Sequence, residues 1–84
     1  MDTSQLEYSI VGAICIEPKI CDKISGILSP DDFSISACSE VFEAACDALG
    51  RGKHFDAVLA ADAIRNRVDD AVRFIGDCMN VTPT

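Results

Sequence analysis

Apolar residues recur along this chain at helical spacing, in short stretches divided by turn-forming residues. Leu6, Ile10 and Ile14 stand at i, i+4 and i+8, with Val11 widening the stripe, and predict a first helix. Ahead of them Ser4-Gln5-Leu6-Glu7 reads as a capping box, Ser4 accepting from the amide of Glu7 and Glu7 reaching back. That helix is expected to end near Ile16, because Pro18 disfavours helical geometry at Glu17. Pro18 itself suits the first turn of a second helix, with Ile20, Ile24 and Ile27 on one face and Gly26 as a left-handed stop. A third helix is expected from Ser36. It carries the longest stripe, Ala37, Val41, Phe42, Ala45, Cys46 and Leu49, closed by Gly50 and Gly52. Asp56 suits the N-cap of a fourth, with Leu59, Ala63 and Ile64 inward and Arg65 and Arg67 at its carbonyl end. Asp69 is placed to cap the last helix. Val72, Ile75, Cys78 and Met79 point inward there, Asn80 is the stop, and Thr82-Pro83 closes the ordered part. No segment reads as a strand. The expected fold class is all-α: a small compact bundle of about five to six short helices, with residues 1–84 as one domain.

Between the second and third helices lies Ser29-Pro30-Asp31-Asp32-Phe33. Paired carboxylates can bind metal or exchange protons, but either task wants a further ligand or base nearby in sequence, and Ser34, Ile35 and Ser36 supply no strong one. The stretch reads better as a helix start. Ser29 is the N-cap, Pro30 takes the first helical position, and Asp31 and Asp32 sit where free amides favour negative charge. Asp32 also holds the reciprocal position of a capping box, and Phe33 turns inward.

Composition narrows the class. Apolar residues make up 49% of the 84, aromatics 6%, and there is no Trp, which fits a small globular core. The longest apolar run, Ile10 to Ile16, is too short to cross a membrane. The acidic, polar MDTSQLE start has no positive n-region, so no signal peptide is expected. The net charge of −7 repels phosphate backbones, so direct nucleic-acid binding is not expected and a protein partner is. Five cysteines, Cys15, Cys21, Cys38, Cys46 and Cys78, are odd in number with no C-x-x-C pair. They are expected to be reduced small hydrophobes in a cytoplasmic protein. A zinc site would need scattered ligands and the lone His54.

Other chemistry is weak. Gly50-Arg51-Gly52-Lys53 looks like a piece of a phosphate loop, but it follows a helix, and Lys53 is followed by His54 rather than Ser or Thr. His54 has no adjacent nucleophile and reads as an exposed loop histidine. No catalytic residue, metal or cofactor is expected. Glu43 and Asp47, like charges at i, i+4, read as a solvated acidic face or a docking surface for a basic protein. Tyr8 and Phe74 fall off the main stripes of their helices and are either interface anchors or cover for a second core face.

Taken in order, LEYSIVGAICI, SPDDF, EVFEAACDAL, a glycine loop, FDAVLAADAI and FIGDCMNVTPT resemble the N-terminal domain of the bacterial DnaB-type replicative helicase. The matching positions are Glu7, Ser9, Ile10, Val11, Gly12 and Ala13; Asp32 and Phe33; Val41 and Phe42; Gly52, Phe55 and Asp56; and Thr82 and Pro83. Ser34 and Glu40 depart from the aromatic and the histidine usual in that family, and RNRVDD is shorter than its counterpart. The resemblance implies a globular helical head that precedes a helical hairpin, a linker and a RecA-like ATPase. It implies a collar of such heads on a hexameric ring, where the helicase-binding domain of primase docks and where a helicase loader and neighbouring subunits make contact. The chain reaches Thr84 about where that hairpin would begin. A non-enzymatic docking and assembly module is therefore expected, monomeric or weakly dimeric alone. Two other readings compete: a free-standing helical adaptor that captures primase or a loader, as a phage or mobile element would use, and a Cys/His metal-binding or redox regulator.

Overall fold

Helix α1, Ser4–Ile16, opens the computed structural model, which describes residues 3–81. Pro18–Ile20 then makes one 3-10 turn and leads directly into α2, Cys21–Ile24. A second 3-10 turn, Pro30–Asp32, precedes α3, Ser36–Gly50. Helix α4 is Ala57–Ile64 and α5 is Ala71–Val81. Among the described residues there is no strand, so the all-α expectation holds. Thr82-Pro83, expected to close the ordered part, lies outside the described residues.

The helix boundaries follow local chemistry. Ser29 N donates to Asp32 Oδ2 at 2.8 Å, so Asp32 takes the reciprocal capping-box position, and the element it opens is a 3-10 turn. Ser39 Oγ on α3 donates to Pro30 O at 2.8 Å and folds that turn onto α3. Phe33 follows half-buried, its ring 5.2 Å from that of Phe42. Helix α3 ends in a Schellman motif: Lys53 N donates to Ala48 O at 2.8 Å and Gly52 N to Leu49 O at 3.0 Å. Gly52 has φ +69°, a left-handed conformation that a Cβ would strain, so Gly52 is the stop and Gly50 is the last helical residue. Asp56 caps α4, accepting from Leu59 N at 2.9 Å. Three expected boundaries change. Asn80, expected to stop the last helix, lies within α5. Gly26 does not adopt positive φ; Leu28 N donates to Ile24 O and carries the turn with right-handed backbone. Asp70 rather than Asp69 caps α5, accepting from Arg73 N at 3.0 Å.

Helix α1 packs most extensively on α5, while α3 lies against α1, α2 and α4, and α4 against α5. Val11, Ile14, Val41, Phe42, Ile64 and Ile75 meet at the centre, each at most 2% exposed. Burying side chains of this size contributes about 1.5–3 kcal/mol each. Several inward expectations are reversed. Leu6 is 62% exposed, Ile27 82%, Val72 75% and Leu59 42%. On α4 the buried face is Ala60, Ala61 and Ile64 rather than Leu59 and Ala63. This eight-residue helix packs through two alanines and Ile64 and leaves Val58 and Leu59 outside.

The buried face of α1 also departs from the 6–10–14 stripe. It runs through Glu7, Val11, Ile14 and Cys15. Glu7 does not cap its own helix. It lies 4% exposed and spans to the start of α3. Its Oε1 accepts from Ile35 N at 2.9 Å, and its Oε2 accepts from Ser34 Oγ and, at 2.9 Å, from Thr3 Oγ1. Burial alone raises this carboxyl; the bonds from Ser34, the Ile35 amide and Thr3 outweigh it and hold the group below its ordinary 4.5.

Replacing Glu7 by Ala leaves these donors without their acceptor and is expected to cost about 2–3 kcal/mol in urea unfolding. Because the folded-state value is depressed, the ionised carboxylate contributes stability above about 4.5 that is lost as pH falls through the folded value. Glu7→Gln should flatten that acid-side loss; an unchanged acid limb would count against the bonded carboxylate.

Candidate protein-docking surfaces

Helix α3 turns Glu40, Glu43 and Asp47 toward a shallow depression shared with Ala63 of α4. Two of the three carboxylates are engaged. Arg67 Nε and Nη2 both reach Glu40 Oε1 at 2.7 Å. Arg67 thus binds α3 instead of serving the carbonyl end of its own helix. Arg51 Nε meets Asp47 Oδ1 at 3.2 Å. Both pairs are solvent-exposed and add little stability. The expected acidic face therefore exists but is partly neutralised, with Glu43 its remaining exposed carboxylate.

Tyr8 and Phe74 are brought together. Their ring centroids lie 5.7 Å apart at 85°, an edge-to-face pair that joins α1 to α5. Both residues are half-buried, so the two rings close a second apolar contact beside the main core. Ser9 Oγ donates to Val81 O at 3.4 Å at the end of the same helix pair.

A third surface lies between α4 and α5. It is an apolar groove of about 280 Å³ lined by Val58 and Ala61 on one wall and Val72, Ile75, Gly76 and Met79 on the other. Ala61 and Ile75 form its floor at 7% and 2% exposure. Val58 and Val72, second residues of their helices, form its rim at 75% exposure each. At the α5 N-terminus the groove opens into a basin carrying Asp62, Arg65, Asp69 and Asp70, where Arg65 Nη1 meets Asp62 Oδ1 at 3.3 Å. Sequence periodicity missed this groove because Val72 fits an inward stripe on α5 taken alone. The available signal was the pair of valines at equivalent first-turn positions of consecutive helices.

Cys21 and Cys46 lie within hydrogen-bond reach of each other, but His54 is not part of that pair. Cys15, Cys21, Cys38 and Cys78 are buried and Cys46 half-buried, all as free thiols. Burial is the main cause that pushes Cys15 up to about 11 and Cys21, Cys38 and Cys78 up to about 12; Cys46 is raised too. Thiols held protonated at neutral pH are poor nucleophiles and poor metal ligands. His54 Nε2 instead meets Asp56 Oδ2 at 2.7 Å in the exposed loop before α4. That contact and the Leu59 amide, the latter with the larger effect, hold the Asp56 carboxyl below its ordinary value. Among the described residues no three His, Cys, Asp or Glu stand close enough to hold a metal ion. Among them, too, no helix is long and apolar enough to cross a membrane.

At pH 8 a disulfide reagent is expected to modify at most Cys46 at a measurable rate in the folded chain, and all five thiols once urea unfolds it. Rapid reaction of a buried thiol in the folded state would restore the redox reading.

A family model for the DnaB-like helicase N terminal domain matches residues 2–84. Comparisons with curated proteins and with solved structures found no match.

Proposed function

The chain belongs to the DnaB-like helicase N-terminal domain family, and on that premise we infer that it is a non-catalytic docking and assembly module of a hexameric replicative DNA helicase. The family match along nearly the whole chain carries this reading. In it, the head contributes to an N-terminal collar, and its outer surfaces receive the helicase-binding domain of primase or a helicase loader. The net charge of −7 supports the division of labour: a domain this acidic gains nothing from a phosphate backbone and favours protein partners with basic surfaces. The loop Gly50–Lys53 supports it as well, since its backbone amides are spent on closing α3 and are not aimed at a phosphate. A free-standing adaptor would use the same docking chemistry without a ring.

Titration of the chain with the isolated helicase-binding domain of a cognate primase, followed by calorimetry, tests the reading. Saturable one-to-one binding is expected, of about micromolar strength and weakening with added salt. Absence of heat and of co-migration at concentrations near 1 millimolar, roughly the weak limit of specific association, would remove primase docking from the account.

A further inference from the structure

We propose that the groove between α4 and α5 seats an amphipathic helix of a partner protein, its apolar face on Val58, Val72 and Met79 and its basic end over Asp62 and Asp69. This rests on the docking reading and names the surface and the chemistry of the partner. The groove has the form that helix recognition needs: a strip between two helices, apolar along its length, able to take side chains at i, i+3 or i+4, and i+7. Its two rim valines are each 75% exposed, so a seated helix removes them from water along with the face it brings. A Cβ built on Gly76 meets nothing within 4 Å, so the α5 wall leaves room above it for an incoming side chain.

Charge selects the occupant. The basin at one end of the groove holds three carboxylates, Asp62, Asp69 and Asp70, against one guanidinium, and that guanidinium is already paired with Asp62. Arg73 and Asp77, exposed on the same helix, offset each other. A basic end on the visiting helix therefore meets an uncompensated negative field. A second copy of the chain would bring its own −7 to the same place, which disfavours self-association through this face.

The probe is a helix-forming peptide of about 15 residues with leucines at i, i+4 and i+7 and lysines in its last turn, titrated into the isotope-labelled chain and followed by amide chemical shifts. Shifts centred on Val58, Ala61, Val72, Gly76 and Met79 are expected. Gly76→Leu fills the groove while replacing a weak helix former by a strong one, so its fold is retained. The pair Val58→Ser and Val72→Ser removes the apolar rim without changing charge. Each change should weaken the peptide about tenfold or more. Asp62→Asn with Asp69→Asn should weaken it less and reduce its salt dependence.

Shifts centred on Glu40, Glu43 and Asp47, or an affinity that Gly76→Leu leaves unchanged, would overturn the groove. Self-association of the chain that disappears in Val72→Ser would make a second copy the occupant and also overturn it. The primase domain separates this inference from the reading it rests on. If that domain binds Gly76→Leu as tightly as the unchanged chain, docking stands and the groove falls. If it binds neither while the peptide still seats, the groove stands and primase docking falls.

Discussion

One buried carboxylate fixes how the first half of this fold meets the second. Glu7 sits on the inward face of α1, where the helical pattern calls for an apolar side chain, and it holds the backbone that begins α3. A carboxylate is tolerated at 4% exposure only because three donors surround it. The amide of Ile35 is among them, and it belongs to the residue flanking the first turn of α3, where no helical carbonyl can serve it. Holding that amide sets where α3 starts. From there Ala37, Val41 and Ala45 fall against the core, and Phe42 meets Phe33 from the preceding turn.

With α1 and α3 fixed, the remaining helices close over them at short range. Small residues on α4 let it lie near both α3 and α5, and the edge-to-face pair of Tyr8 and Phe74 holds α5 on α1. Ile64 and Ile75 turn into the core, while Val58 and Val72 face outward as the two rims of one groove. An apolar groove thus lies beside a carboxylate cluster in this member of the DnaB-like helicase N-terminal domain family.

Much of this was legible in the order of residues. Ser29, Pro30 and Asp32 announced their turn, Asp56 its cap, and the stripe on α3 its inward face, because each depends on neighbours within a few positions. Failures occurred where a residue answers to a distant partner. Glu7 read as a local cap because its spacing from Ser4 matched one, while its acceptors face a loop 27 and 28 residues away. Arg67 suited the end of α4 but binds Glu40, also 27 residues off. Ile27 and Val72 satisfied helical spacing yet face solvent, since periodicity identifies a stripe and not which side of it a neighbouring helix covers. Asp69 and Asp70 are both able caps, and only the backbone path out of α4 chooses between them.

Hydrogen exchange at the Ile35 amide tests the role of Glu7 most directly. This amide precedes α3 and has the Glu7 carboxylate as its partner. The account predicts that it exchanges as slowly as the buried amides of α3, through opening of the whole domain rather than of the loop. Exchange at the rate of an exposed loop amide, with the α3 interior still protected, would show that Glu7 does not hold the start of α3 and would contradict the account.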